Sequence, residues 1–176
     1  MRFMAATVPK PDGDRLVIVG TYTEPMGHVP EGSGAGLSTW FLGTDYELKP
    51  AGDAVYSRNP SALLCVGSNV YACNEYTDDI DGKPVDSATI SAFSLTQTGD
   101  AVSGEAVAVT LQAVGSPVSS AGTAPCNLVA PVGGAEATAI IGANYCGGNV
   151  VLYARDPTDG SLAVGLGSGF DVQHVA

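Results

Sequence analysis

Apolar and polar residues alternate in short runs along this chain, and the runs recur in the same order three times. Leu16-Val17-Ile18-Val19-Gly20-Thr21-Tyr22, Val70-Tyr71-Ala72-Cys73-Asn74-Glu75-Tyr76 and Ala139-Ile140-Ile141-Gly142-Ala143-Asn144-Tyr145 each read as an apolar strand ending in a small-polar-tyrosine cluster. A second strand with an aromatic residue inside it follows each of them, over 36–42, 88–95 and 149–154. A third closes each unit, over 48–55, 101–109 and 160–164. Alternation with a period of two, bounded by Gly, Asp and Asn, is the signature of strands in an antiparallel sheet. No stretch carries a convincing helical stripe.

One more strand stands before the second and third units, opened by Asn59-Pro60-Ser61-Ala62-Leu63 and by Ala124-Pro125-Cys126-Asn127-Leu128. Proline is tolerated at a strand's first position, where its missing N–H leaves the ladder intact. No such strand is predicted before the first unit. A supersecondary unit that recurs at intervals of about 40–50 residues is the mark of a propeller. The expectation is an all-β chain forming a partial β-propeller of about three blades over 16–176, behind an N-terminal extension of residues 1–15. The three tyrosines Tyr22, Tyr76 and Tyr145 are expected to head equivalent turns. The uncharged, Ser- and Gly-rich stretch 110–123 is expected to be a flexible connection rather than an element over the rim.

Composition supports this picture and narrows the chemistry. The chain has 23 Gly and 11 Pro among 176 residues, which suits short strands joined by turns. Seven Lys and Arg against 18 Asp and Glu give a net charge of −11. Nucleic acid and anionic membranes are bound by clustered basic residues, so neither is an expected partner. The apolar runs are far shorter than a membrane span, and residues 1–10 show no apolar signal-peptide core, so a soluble, cytoplasmic protein is expected. The same shortage of cations limits how an anionic substrate could be held: Arg2, Arg15, Arg58, Arg155 and three lysines are all that the chain offers.

Cys65, Cys73, Cys126 and Cys146 form no Cys-x-x-Cys and have no neighbouring histidine pair. They are read as free, buried or half-buried thiols, with no metal and no cofactor expected. Thr21 and Ser61 have no partners for a nucleophilic triad, and no Gly-x-Ser-x-Gly elbow exists. The run Gly32-Ser33-Gly34-Ala35-Gly36 lacks the Gly-Lys-Ser/Thr ending of a phosphate loop and precedes a strand, so it is read as a turn. His28, in the same loop, is read as a solvated residue.

Val19-Gly20-Thr21-Tyr22-Thr23, Gly34-Ala35-Gly36-Leu37, Asn59-Pro60-Ser61, Tyr71-Ala72-Cys73-Asn74-Glu75, Pro125-Cys126-Asn127 and Ala143-Asn144-Tyr145 occur in the order seen in one family. Together they resemble the N-terminal part of the lactonase family of seven-bladed propellers, of the 6-phosphogluconolactonase and 3-carboxy-cis,cis-muconate cyclase type. The resemblance implies hydrolysis of a sugar lactone or reversible lactonisation of a carboxymuconate, hence a small-molecule lactone or carboxylate as substrate. Gln173-His174 resembles the family's Gln-His segment, which would make His174 a candidate general acid or base. The alternative for His174 is a solvated residue near the chain end. Glu75 matches the family's Asn-Glu and is a candidate for orienting the substrate, or else a carboxylate that satisfies strand-end N–H groups. Asn144, read as occupying the equivalent place one blade later, is the other substrate-orienting candidate.

The family's further arginines, histidines and glutamate match nothing in these residues, so a catalytic site that is incomplete here is expected. Three blades of a ring would also leave open edges prone to adventitious self-association. A catalytically silent binding scaffold stands as a second class of function beside the enzyme.

Overall fold

The computed structural model describes residues 4–9, 15–76, 88–99, 107–164 and 173–174. Three antiparallel sheets follow one another along the chain. The first contains β1 (Met4–Pro9), β2 (Arg15–Gly20), β3 (Leu37–Leu42) and β4 (Leu48–Pro50), side by side in that order. The second contains β5 (Pro60–Val66), β6 (Asn69–Asn74), β7 (Thr89–Thr98) and β8 (Ala108–Ala113), with β9 (Val118–Ser119) paired to β7. The third repeats this plan with β10 (Pro125–Val129), β11 (Ala139–Asn144), β12 (Asn149–Arg155) and β13 (Leu162–Val164), and β14 (Gln173–His174) pairs with β12. The described residues contain no helix. Each sheet is one propeller blade, and the chain is the all-β partial propeller that its alternation predicts.

The register makes the blades superimposable and corrects four expectations. Met4 pairs with Gly20, Pro60 with Asn74 and Pro125 with Asn144, so the first blade does possess an opening strand, β1. Its residues, Met4-Ala5-Ala6-Thr7-Val8-Pro9, include two alanines of weak strand preference, and only pairing with β2 reveals it. Counting from the same register, Tyr22 and Tyr76 lie two residues past Gly20 and Asn74, whereas the residue two past Asn144 is Cys146. Tyr145 is therefore one position out of step, and it is 79% exposed where Tyr22 and Tyr76 are 5% and 8%. A one-residue offset turns a side chain to the opposite face, so the three tyrosines are not equivalent.

The stretch 110–123 is no flexible connection either. It completes β8, forms β9 against Thr89 and Ile90, and continues into the third blade. The third strand of blade two accordingly lies later than predicted, over Ala108–Ala113, while residues 101–106 of that prediction fall outside the described residues. Among the thiols, Cys73 is buried and Cys65 and Cys126 are half-buried, but Cys146 is exposed, at the tip of the β11–β12 turn.

The core explains why blade two reads as most apolar. Every residue of β6 is buried, because the blade is covered on both faces. Its alternate side chains serve two clusters. Val70 and Ala72 pack with Ile18, Leu37, Phe93 and Leu111 towards blade one. Tyr71 and Cys73 pack with Leu128, Ile140, Val151 and Tyr153 towards blade three. Each large side chain so buried stabilises the fold by about 1.5–3 kcal/mol relative to exposure. The blades also approach very closely at one point: a Cβ on Gly20 would lie 2.6 Å from the carbonyl oxygen of Pro60. Only glycine fits between β2 and the start of β5.

Candidate functional site

The ends of β2, β6 and β11, the starts of β5 and β10, and the blade-to-blade crossovers all fall at one end of the molecule. Cross-blade hydrogen bonds tie this end together. The N–H of Thr23 and that of Glu24 donate to Asn59 Oδ1 at 3.0 and 2.9 Å, and the N–H of Ala124 donates to the Tyr76 carbonyl at 3.1 Å. Asn59 sits in the left-handed region (φ 43°) immediately before Pro60, and Ala124 does the same (φ 53°) before Pro125. Asparagine tolerates that conformation; alanine adopts it at a cost of about 1–2 kcal/mol. From these two hinges the carbonyls of Asn59 and Ala124 accept the N–H groups of Glu75 and Tyr145.

Glu75 emerges from the end of β6 into the junction with blade one and is 7% exposed. The Tyr22 hydroxyl donates to Glu75 Oε2 at 2.6 Å, the short distance of a charge-assisted O–H···O bond. His28 completes the cluster: its Nε2 lies 3.4 Å from the Tyr22 hydroxyl and 3.9 Å from Glu75 Oε1, and the two rings meet edge to face. The reading of His28 as merely solvated is thus corrected. Its side chain is 51% exposed, yet the 16-residue span between β2 and β3 folds back to bring it onto Tyr22. Beside the three residues opens a cleft of about 340 Å³, lined by Thr21, Tyr22, His28 and the loop 29–34.

The cation at this end, Arg58, is already engaged. It donates to Glu24 Oε2 from Nη2 at 3.0 Å and from Nε at 3.2 Å, and lies 3.8 Å over the Tyr76 ring. Burial alone would lower its pKa, but the bond to Glu24 and that carboxylate's charge outweigh it, and the guanidinium is held more firmly protonated than usual.

Asn144 ends β11 and is 5% exposed. Its Nδ2 donates to the Ser120 carbonyl at 2.7 Å, and Asn149 Nδ2 donates to the Ala121 carbonyl at 3.1 Å. Among the described residues Asn144 Oδ1 and Asn149 Oδ1 have no hydrogen-bond partner. By register Asn144 corresponds to Asn74, not to Glu75 as its place before a tyrosine suggests. Asn74 ties the same corner of blade two, accepting from the Ser57 hydroxyl at 2.7 Å and donating to Thr89 and Ser91. Both amides therefore pin a strand end to its neighbouring segments.

His174 lies in β14, whose backbone pairs His174 with Asn149 and Gln173 with Val150. That pairing sets the backbone of His174 at the same end as Asn144. Its side chain is outside the described residues. Among the described residues no group of three or more His, Cys, Asp or Glu is arranged to hold a metal ion. Sequence reasoning singled out Glu75 but not its partners, because Tyr22 lies 53 residues away and meets it only when two blades stack.

No family model and no curated protein matches the chain. Solved structures do. A proposed 6-phosphogluconolactonase from Bacteroides fragilis matches with a TM-score of 0.66 and 25% identity, over 96% of this chain and 38% of that one. The chain is similar in fold to the lactonase-type propellers. A second proposed 6-phosphogluconolactonase, from Bacteroides uniformis, matches at 25% identity with a TM-score of 0.57, over 84% of this chain and 35% of that one. The periplasmic gluconolactonase of Pseudomonas aeruginosa shares the fold, with a TM-score of 0.59 and 24% identity, over 90% of this chain and 38% of that one. The chain described here thus spans well under half the length of the structures it matches. No helix among its described residues is long and apolar enough to cross a membrane.

Proposed function

We propose that the protein to which these blades belong hydrolyses a sugar lactone of the 6-phosphogluconolactone type. The observation that carries this reading is the gathering of Glu75, Asn144 and the backbone of His174 at one end of a fold shared with proteins named as lactonases. In this reading His174 takes a proton from the attacking water and returns it to the departing ring oxygen. The water oxygen bonds to the carbonyl carbon, the ring C–O bond breaks, and a carboxylic acid and a free hydroxyl result. Glu75 and Asn144 orient the substrate through its hydroxyls, and N–H donors stabilise the oxygen on which negative charge develops. The lactonase names of the matched structures favour hydrolysis over closure of a carboxymuconate.

Acid release from 6-phosphoglucono-1,5-lactone, followed against its spontaneous hydrolysis, tests the proposal. We expect His174→Ala to lower kcat by about 10²–10⁴, the usual worth of a positioned acid–base group. Turnover that this substitution leaves unchanged removes the role of His174. Absence of turnover on any sugar lactone, with intact sugar binding, favours a binding scaffold. A cytoplasmic location is part of the same reading, with the propeller portion of residues 16–176 extended by the opening strand β1 (Met4–Pro9). Cell fractionation checks the location, since the Pseudomonas relative is named as periplasmic.

A further inference from the structure

At the end of the strands away from the candidate site, a cleft of about 360 Å³ lies between blades two and three, within the range of about 300–1,000 Å³ typical of small-molecule sites. Its walls are fixed from both blades. Asn69, buried at the start of β6, donates from Nδ2 to the Asp159 carbonyl at 3.0 Å and so fastens the β12–β13 turn, where the Gly160 N–H donates to the Asp156 carbonyl at 2.8 Å. The β5–β6 turn meets the β10–β11 loop so closely that a Cβ on Gly67 would lie 2.9 Å from that of Ala135. Walls already in place spare a ligand the cost of ordering them.

Arg155 lines this cleft and is 4% exposed. A guanidinium carries five N–H donors. Nε gives one to the Tyr71 hydroxyl, Nη1 two to the carbonyls of Ala135 and Ala137, and Nη2 one to Asn69 Oδ1. The second Nη2 hydrogen has no acceptor among the described residues. All these acceptors are neutral, so a full positive charge lies buried with no carboxylate bonded to it. Burying a charge without a counter-charge is costly, and an anion that reaches the guanidinium offsets that cost through a charge-assisted hydrogen bond.

The exposed rim carries the opposite sign. Glu136 and Asp159 line the same cleft and face solvent. The Asp159 carboxylate is held below its ordinary range, first by the Ser161 N–H, which donates to Oδ1 at 2.7 Å, and least by the charge of Arg155. A simple anion would be repelled by two carboxylates, and a simple amine would leave the guanidinium unpaired. A dipolar ligand meets both demands. Val114, Ala135 and Pro157 add an apolar surface.

We propose that this cleft binds a zwitterionic α-amino acid with a small aliphatic side chain. The ligand carboxylate accepts the remaining Nη2 hydrogen of Arg155, its ammonium lies against Glu136 and Asp159, and its side chain rests on the apolar surface. The site does not rest on lactone hydrolysis, whose candidate residues gather at the other end of the blades.

The test is titration of the full chain with L-valine and L-alanine, read by saturation-transfer NMR and calorimetry. Each amino acid has two counterparts that lack one charged group: 3-methylbutanoate and 2-methylpropylamine for valine, propanoate and ethylamine for alanine. At least one amino acid should bind, and its counterparts should bind about tenfold more weakly or worse, the usual cost of losing a hydrogen bond to a charged group. Ser68→Trp, at the exposed β5–β6 turn, fills the cleft and should abolish binding. Glu136→Gln, a milder change at an exposed residue, should weaken it about threefold or more, by the modest worth of exposed ion pairs. Circular dichroism melts check that both variants keep the fold. The proposal is overturned if neither amino acid binds, if a single-charge counterpart binds as well as its parent, or if either folded variant leaves affinity unchanged.

Discussion

The two blade junctions of this molecule are stitched at opposite ends by opposite kinds of chemistry. Between blades one and two the polar contacts lie at the crossover end, where Tyr22, Glu75, His28 and Asn59 meet beside an open cleft. Between blades two and three the principal polar hub lies at the far end, where the buried Arg155 forms part of the wall of a second cleft of about 360 Å³ with Asn69, Glu136 and Asp159. Arg155, 4% exposed, donates to the Tyr71 hydroxyl and Asn69 Oδ1 at 2.7 Å each, and to the carbonyls of Ala135 and Ala137 at 2.9 and 2.7 Å. The Tyr71 hydroxyl in turn donates a hydrogen bond to the Gly160 carbonyl at 2.8 Å. The buried cation is thus solvated by neutral oxygens from both blades. One junction links its blades through a carboxylate, a phenol and an imidazole, the other through a single buried guanidinium that locks two sheets together.

If that contrast is right, the locking junction should be far more sensitive to loss of a side chain. Arg155→Met keeps much of the volume but strands three buried acceptors and one half-buried carbonyl, and should destabilise the fold by about 3–5 kcal/mol in urea unfolding. Tyr22→Phe removes one donor to a nearly buried carboxylate and should cost about 1–3 kcal/mol by the same measurement. Equal losses would erase the distinction between the junctions.

Alkali probes the buried thiols and phenols of both junctions without mutation. Burial raises the Cys65 thiol from 9.0 to about 11 and also pushes up the thiol of Cys73 and the phenols of Tyr71 and Tyr153. The unfolded chain releases these protons where the folded chain retains them, so stability must fall as pH rises. Thermal melts should lose about 1 kcal/mol or more between pH 9 and about 11, beginning near the ordinary thiol value. The smallest effect is a gain. Ala124, strained in the left-handed region, should be relieved in Ala124→Gly by about 0.5–1 kcal/mol, whereas the equivalent Asn59→Gly should give no gain because Asn59 Oδ1 holds two backbone N–H groups.

Much of the fold was legible along the chain. The strands at 15–20, 69–74 and 139–144, and the two proline-opened strands at 60 and 125, announce themselves through alternation and turn residues. The strand at 4–9 does not, since its small residues carry little pattern and its existence depends on an already formed neighbour. The loop reading of 110–123 failed for a related reason. Its Ser and Gly residues suit a turn locally, but Ser119, Ser120 and Ala121 present carbonyls to Tyr153, Asn144 and Asn149 of the next blade. Glu75 could be named from a motif of the family, yet its bond to Tyr22 and its proximity to His28 could not.

The sequence by itself determined the all-β character, the repeating unit and the poverty of cations, because these follow from composition and from a period of two that any strand must obey. Tertiary structure alone decided register, and with it which side chains meet. A one-residue offset exposes Tyr145 where Tyr22 and Tyr76 are buried, since neighbouring side chains on a strand point to opposite faces. The contacts among Tyr22, His28 and Glu75, and those of Arg155 with Tyr71 and Asn69, join blades whose residues lie 47 to 86 positions apart. No local pattern encodes such meetings, because they depend on how one twisted sheet stacks upon the next.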